Sequence, residues 1–165
     1  MKIRLLIMWG VAALVLVVMN VLIIQKERLL AAPQGILLEL APVDPRSLIQ
    51  GDYLALAYAI TREVPEQGLP NDGQLVVAAD ANNVARYVRL YVPSTALAPG
   101  ELLLRYRVRN GRMHIGSEAF FFQEGTADAY AKARYADLRV DSAGESLIVG
   151  LRGPEREVLG APLGT

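Results

Sequence analysis

The sequence predicts a mainly β (α+β) protein, a compact antiparallel sheet or barrel-like domain with one helix, preceded by a single N-terminal transmembrane helix. Three observations support this. Residues 5–24 contain no charge and are apolar almost throughout, with Asn20 the main exception. Beyond residue 35, short apolar runs alternate with turn residues, as in a domain of many hairpin-linked strands. Only residues 126–135, rich in alanine, read as a good helix outside the apolar run.

The apolar run comes first. At 1.5 Å per residue, about 20 residues span the roughly 30 Å of a bilayer's hydrocarbon layer. In lipid the backbone must satisfy its own hydrogen bonds, so the span is a helix. Trp9 lies one turn inside its leading end, near the headgroups. A cleaved signal peptide has an apolar region of about 7–15 residues and then a small-x-small site. Here the run is longer and is followed by Gln25-Lys26-Glu27-Arg28, and cleavage after Ala32 would place Leu30 where a small residue belongs. An uncleaved signal anchor is therefore expected. Lys2, Arg4 and the start amine outnumber Lys26 and Arg28 slightly, which favours a cytoplasmic N-terminus. The expected layout is a cytoplasmic tail (1–4), the anchor (5–24), a juxtamembrane linker (25–35), a β-rich domain (36–152) and an irregular tail (153–165). In a bacterium this places a single-pass protein in the inner membrane with its bulk in the periplasm.

Composition narrows the chemistry. Lys plus Arg and Asp plus Glu number 17 each, but beyond residue 28 the counts are 13 and 16. So weak and mixed a balance gives no reason to expect nucleic acid as a partner. With no cysteine, disulfides, thiol catalysis and thiolate metal sites are excluded. His114 is the only histidine, and one imidazole without thiolates makes no zinc site. No metal and no cofactor is expected, and His114 reads as a half-exposed strand residue.

The elements come in this order. Residues 26–34 read as a helix end stopping at Pro33. Residues 36–40 form a first strand. Asp44-Pro45 is a helix-start signal, so residues 44–50 are expected to make one helical turn. Gly51-Asp52 then turns the chain into a second strand, 53–61. Strands 75–79 and 84–92 flank Asp80-Ala81-Asn82-Asn83, a four-residue hairpin loop. Strands 102–109 and 113–116 flank Asn110-Gly111, the strongest short hairpin signal in the chain. Residues 119–123 form a short strand with three successive phenylalanines, expected to be buried on both faces. The helix at 126–135 takes Thr126 as N-cap and pairs Asp128 with Lys132. Strands 138–140 and 147–151 close the domain around Ser142-Ala143-Gly144.

The octapeptide Gly51-Asp52-Tyr53-Leu54-Ala55-Leu56-Ala57-Tyr58 stands out. Glycine supplies a left-handed turn, and Asp52 accepts backbone N–H bonds across it. Strand alternation then places Leu54, Leu56, Tyr58 and Ile60 on one face and Tyr53 with three alanines on the other. As a structural corner, Gly51 turns, Asp52 caps, and Leu56 and Tyr58 fill the core. As a functional surface, Asp52, Tyr53 and Arg46 line a binding face. The octapeptide resembles, letter for letter, the signature of the GDYXXLXY protein family. Asp44-Pro45-Arg46-Ser47-Leu48 is similar to that family's lead-in, and the block from Glu118 to Gly125 is similar to a second family segment. The resemblance implies a companion of a larger multi-span membrane protein. It also draws attention to Glu124, which either caps the turn after it or pairs with an arginine near the corner.

Other chemistries fit less well. The phrase from Pro45 to Leu54 is loosely similar to a stretch of signal peptidases. Ser47 does not hold the nucleophile's place there, and Lys132 is the only lysine beyond the membrane-proximal region. Arg105, Arg107 and Arg109 alternate with apolar residues. They read as a solvated strand face or as an anion-binding stripe extended by Arg112. No catalytic residue is assigned. The expected function is that of an extracytoplasmic accessory or interaction domain anchored in the membrane. The alternatives are a membrane-tethered hydrolase, peptidase-like, using Asp52 or Ser47, and an anion-binding sensor.

Overall fold

Helix α1 (Lys2–Leu30) carries the apolar run. Its stretch Leu6–Ile24 is long and apolar enough to cross a membrane, and none of it is buried against the rest of the protein. Asn20 satisfies itself within the helix by donating its side-chain amide to the Leu16 carbonyl at 2.8 Å, as a polar group in an apolar helix must. The computed structural model describes residues 2–30, 34–41, 53–65 and 68–160. The helical turn expected at 44–50 lies outside them.

Among the described residues, the domain is built from antiparallel strands in three curled sheets. One has the order β1 (Gln34–Glu39), β8 (Tyr135–Val140), β9 (Ser146–Arg152), β10 (Val158–Leu159). A second has the order β4 (Ala85–Leu90), β3 (Asp72–Ala79), β5 (Glu101–Arg109), β6 (Arg112–Ile115). The third is a two-stranded ribbon of β2 (Tyr53–Ala55) and β7 (Ala119–Phe121). Helix α1 docks its far end on the first sheet, where Leu29 is buried and the helix touches β8 and β9. Seams join the sheets. The Leu37 N–H donates to the Asn83 carbonyl at 2.9 Å, tying β1 to the start of β4. Leu40 bridges Tyr58, and the Arg105 N–H donates to the Gly144 carbonyl at 2.8 Å. One core runs through all three sheets, with Leu38, Leu75, Leu104, Leu138 and Leu151 fully buried. Among the described residues, no buried side-chain polar atom lacks a hydrogen-bond partner.

The turns obey local chemistry. Asn110 and Gly111 take φ of 52° and 71°, the left-handed pair that a two-residue hairpin between twisted strands requires. Asp80 accepts the N–H groups of Asn82 and Val84 at 2.8 and 3.0 Å, and Asp141 accepts those of Ala143 and Glu145 at 2.9 Å each. Those backbone donors, with Arg86 beside the carboxylate, hold the Asp80 carboxyl below its usual range.

Four expectations are corrected. The strand at 53–61 ends at Ala55, and Ala59–Arg62 is a 3₁₀ turn. The chain changes partners there: the Leu56 N–H still donates to Glu118 beside β7, whereas the Ala57 carbonyl already accepts from Ala41 beyond β1. The helix at 126–135 shrinks to one turn, Ala127–Tyr130. The sheet claims the chain from Arg134 onward, because the Arg134 carbonyl accepts from Leu40 and its N–H donates to Arg152. Alanine propensity yields to these tertiary bonds. Thr126 donates its hydroxyl to the Gln123 carbonyl instead of capping the helix, and Lys132 falls past the helix end. The aromatic strand stops at Phe121, whose side chain is exposed, not buried. Finally, the region after Gly153 is not irregular throughout, since β10 pairs with the end of β9.

Candidate functional site

Gly51, Asp52, Arg46 and Ser47 lie outside the described residues, so the corner itself and the hydrolase reading that depends on it receive no structural account. From Tyr53 onward the motif is defined. β2 pairs with β7 in the register Tyr53 to Phe121, Leu54 to Phe120 and Ala55 to Ala119. The two family-like segments, distant in sequence, are therefore neighbouring strands. This pairing explains why both carry aromatic and β-prone residues: each is the other's partner.

The ribbon has two faces. Inward, Leu54 of β2 is buried, and so are Leu56, Tyr58 and Ile60 on the chain beyond it. Tyr58 donates its hydroxyl to the Ser117 carbonyl at 2.7 Å, and the Leu56 N–H donates to the Glu118 carbonyl at 2.7 Å. Motif residues thus grip the backbone just ahead of β7. Burial pushes the Tyr58 phenol well above its ordinary pKa, and the negative charge of Glu118 adds to the effect. Phe120 meets Tyr130 edge-on at 5.3 Å between ring centres, and Phe122 stacks on the same ring at 5.1 Å. Tyr130 is the anchor of the aromatic block, and sequence reading passed over it. Its signal was an aromatic inside an alanine-rich turn.

Outward, Phe121 is 70% exposed, and its ring lies 5.8 Å from that of half-buried Tyr53, tilted by 41°. Glu124 is exposed in the turn after β7 and makes neither an ion pair nor a capping bond with a described residue.

Beside the ribbon lies a groove of about 660 Å³ between the 3₁₀ turn and the β5–β6 hairpin. Leu56, Tyr58, Val64 and Met113 contribute to its walls, and Arg62 and Arg112 also line it. His114 closes one side. Its Nδ1 meets the Glu118 carboxylate and its Nε2 lies 3.3 Å from the Arg109 carbonyl, so both ring nitrogens face acceptors. His114 and Glu118 also line a second cavity on the other side, where α1 meets β5 and β9. Among the described residues, no three His, Asp or Glu side chains cluster as a metal site. The arginines of β5 are exposed as a stripe. Arg105 pairs with Glu145 at 2.5 Å and Arg107 with Asp72 at 3.4 Å.

No curated protein and no solved structure matches the chain. The family described as GDYXXLXY protein matches residues 15–151, a span that takes in most of α1, the motif strand and its aromatic partner. The chain belongs to the GDYXXLXY family.

Proposed function

We propose that the protein is a single-pass component of a bacterial inner membrane whose β domain stands on the periplasmic side as a non-enzymatic docking module for a larger multi-span membrane protein. The observation that carries this reading is the outer face of the β2–β7 ribbon. Phe121 projects into solvent against Tyr53, while the opposite face of the same two strands is locked into the core. An aromatic pair on a rigid frame loses little conformational freedom when covered, and such residues dominate binding energy at interfaces. The apolar surface of α1 supports the membrane half of the reading. Leu6–Ile24 is entirely unburied, a far larger apolar area than a soluble monomer leaves in water. The motif divides its labour accordingly: Leu56 and Tyr58 fix the ribbon, and Tyr53 supports the exposed phenylalanine.

Purification of the full chain in mild detergent tests this. A multi-span protein should accompany the wild type in stoichiometric amount and be lost with Phe121→Ala. The melting temperature of the variant should stay unchanged, because Phe121 contributes little to the core. A chain that purifies alone, or a partner retained by Phe121→Ala, would overturn the proposal.

A further inference from the structure

We infer that the cavity where α1 meets β5 and β9 binds the phosphate-bearing headgroup of an anionic phospholipid. The cavity is about 330 Å³ and is lined by Lys26, Arg105, Arg107 and Arg109, with Glu118 and Glu145 as the carboxylates. Four cations face two carboxylates, so the local charge is positive although the domain as a whole is slightly acidic. The three arginines alternate along one strand and all point away from the core. Successive outward positions stand roughly 7 Å apart, which lets two guanidinium groups address one phosphate. Arg105 and Arg107 are partly neutralised by Glu145 and Asp72. Lys26 and Arg109 make no ion pair with a described residue, and they are the cations available to a ligand.

The position of Lys26 identifies the source of the phosphate. The apolar stretch ends at Ile24, and Lys26 lies two residues further along the same helix, about 3 Å beyond the hydrocarbon boundary. The headgroup layer is roughly 5–7 Å deep on each side of a bilayer. A cavity that includes Lys26 therefore opens at the depth of the lipid phosphates. The buried Leu29 seats the helix end against β8 and β9, and the β5 arginines line the same cavity as Lys26. A lysine flanking a membrane span already directs its amine to the interface. Here the arginines of a distant strand join it.

The test uses the full chain in neutral detergent, titrated with phosphatidylglycerol or phosphatidylcholine, with bound lipid counted by native mass spectrometry. Phosphatidylglycerol should bind at least about tenfold more tightly, since one extra anionic charge meets several cations. Lys26→Gln and Arg109→Gln should each weaken it about fivefold, and the pair should weaken it more than either alone, with a coupling that reflects the shared phosphate. Lys132→Gln, exposed and outside the cavity, should change nothing. Equal affinity for the two lipids, or a double variant that binds like the wild type, would overturn the inference. Glycerol phosphate at millimolar concentration should fail to displace the lipid. Displacement would make a soluble phosphate the ligand and refute the lipid assignment. Both substituted side chains are exposed, so an unchanged melting temperature is expected. If the double variant does not fold, Lys26→Gln alone decides, because that residue lies on the helix outside the core.

Discussion

Tyr58 is the motif residue whose role the geometry defines most closely. Its ring fills the core and its hydroxyl holds the Ser117 carbonyl. Tyr58→Phe keeps the ring but leaves a part-buried acceptor without its donor. The expected cost is about 1–3 kcal/mol, measured by chemical denaturation of the full chain in detergent at pH 7. The pH dependence has a definite sign. The folded phenol holds its proton more tightly than the unfolded one, because burial disfavours the anion. The contribution is therefore fully present below the unfolded phenol's value of about 10, and stability falls as pH rises above it. Tyr58→Phe should make that alkaline loss shallower. A residual slope is expected from Tyr106, whose phenol burial also pushes up. A variant as stable as the wild type at pH 7 would show that the Ser117 bond contributes nothing.

Among the elements, the turns separate what one stretch of chain decides from what distant chain decides. Gly111 and Gly144 both have left-handed φ, 71° and 79°. A Cβ on Gly111 would meet nothing within 4 Å, whereas one on Gly144 would lie 3.1 Å from the backbone of Leu103 and Arg105. Gly111→Ala should cost about 1–2 kcal/mol, the left-handed penalty alone. Gly144→Ala should cost more, since it also prises the β8–β9 turn from β5. Equal losses in thermal melts would refute the seam's importance. The same contrast explains how far the sequence was legible. The hairpins at Asn110-Gly111 and Asp80 to Asn83 were readable because their hydrogen bonds lie within the loop. The burial of Leu54, Leu56, Tyr58 and Ile60 was readable from their apolar spacing, although the strand that spacing implied ends at Ala55. The helix was overestimated because Arg134 gives its backbone to β1 and β9, which no window around residue 130 contains. The pairing of β2 with β7 was out of reach for the same reason, although each segment stands out by itself. So was the placing of Lys26 and the β5 arginines, each of which looks like ordinary surface charge in isolation, around one cavity.

For the whole molecule, the unburied α1 makes a prediction about processing and topology. Mass spectrometry of the membrane-extracted protein should find α1 still attached, and protease added to spheroplasts should digest a C-terminal tag. A mature chain starting near Pro33 would show cleavage, and a tag protected until lysis would reverse the orientation. The order of strands has a further consequence. β1 comes directly after the helix, yet its sheet neighbour is β8, and the pair places Ile36 and Leu38 at the centre of the core. During synthesis β1 therefore emerges early and waits for its sheet neighbour, made about a hundred residues later. At roughly 5–20 residues per second the wait lasts about 5–20 seconds, during which the apolar residues of β1 stand uncovered by that neighbour. Any protein that shields this strand until β8 arrives would act as a chaperone for the domain.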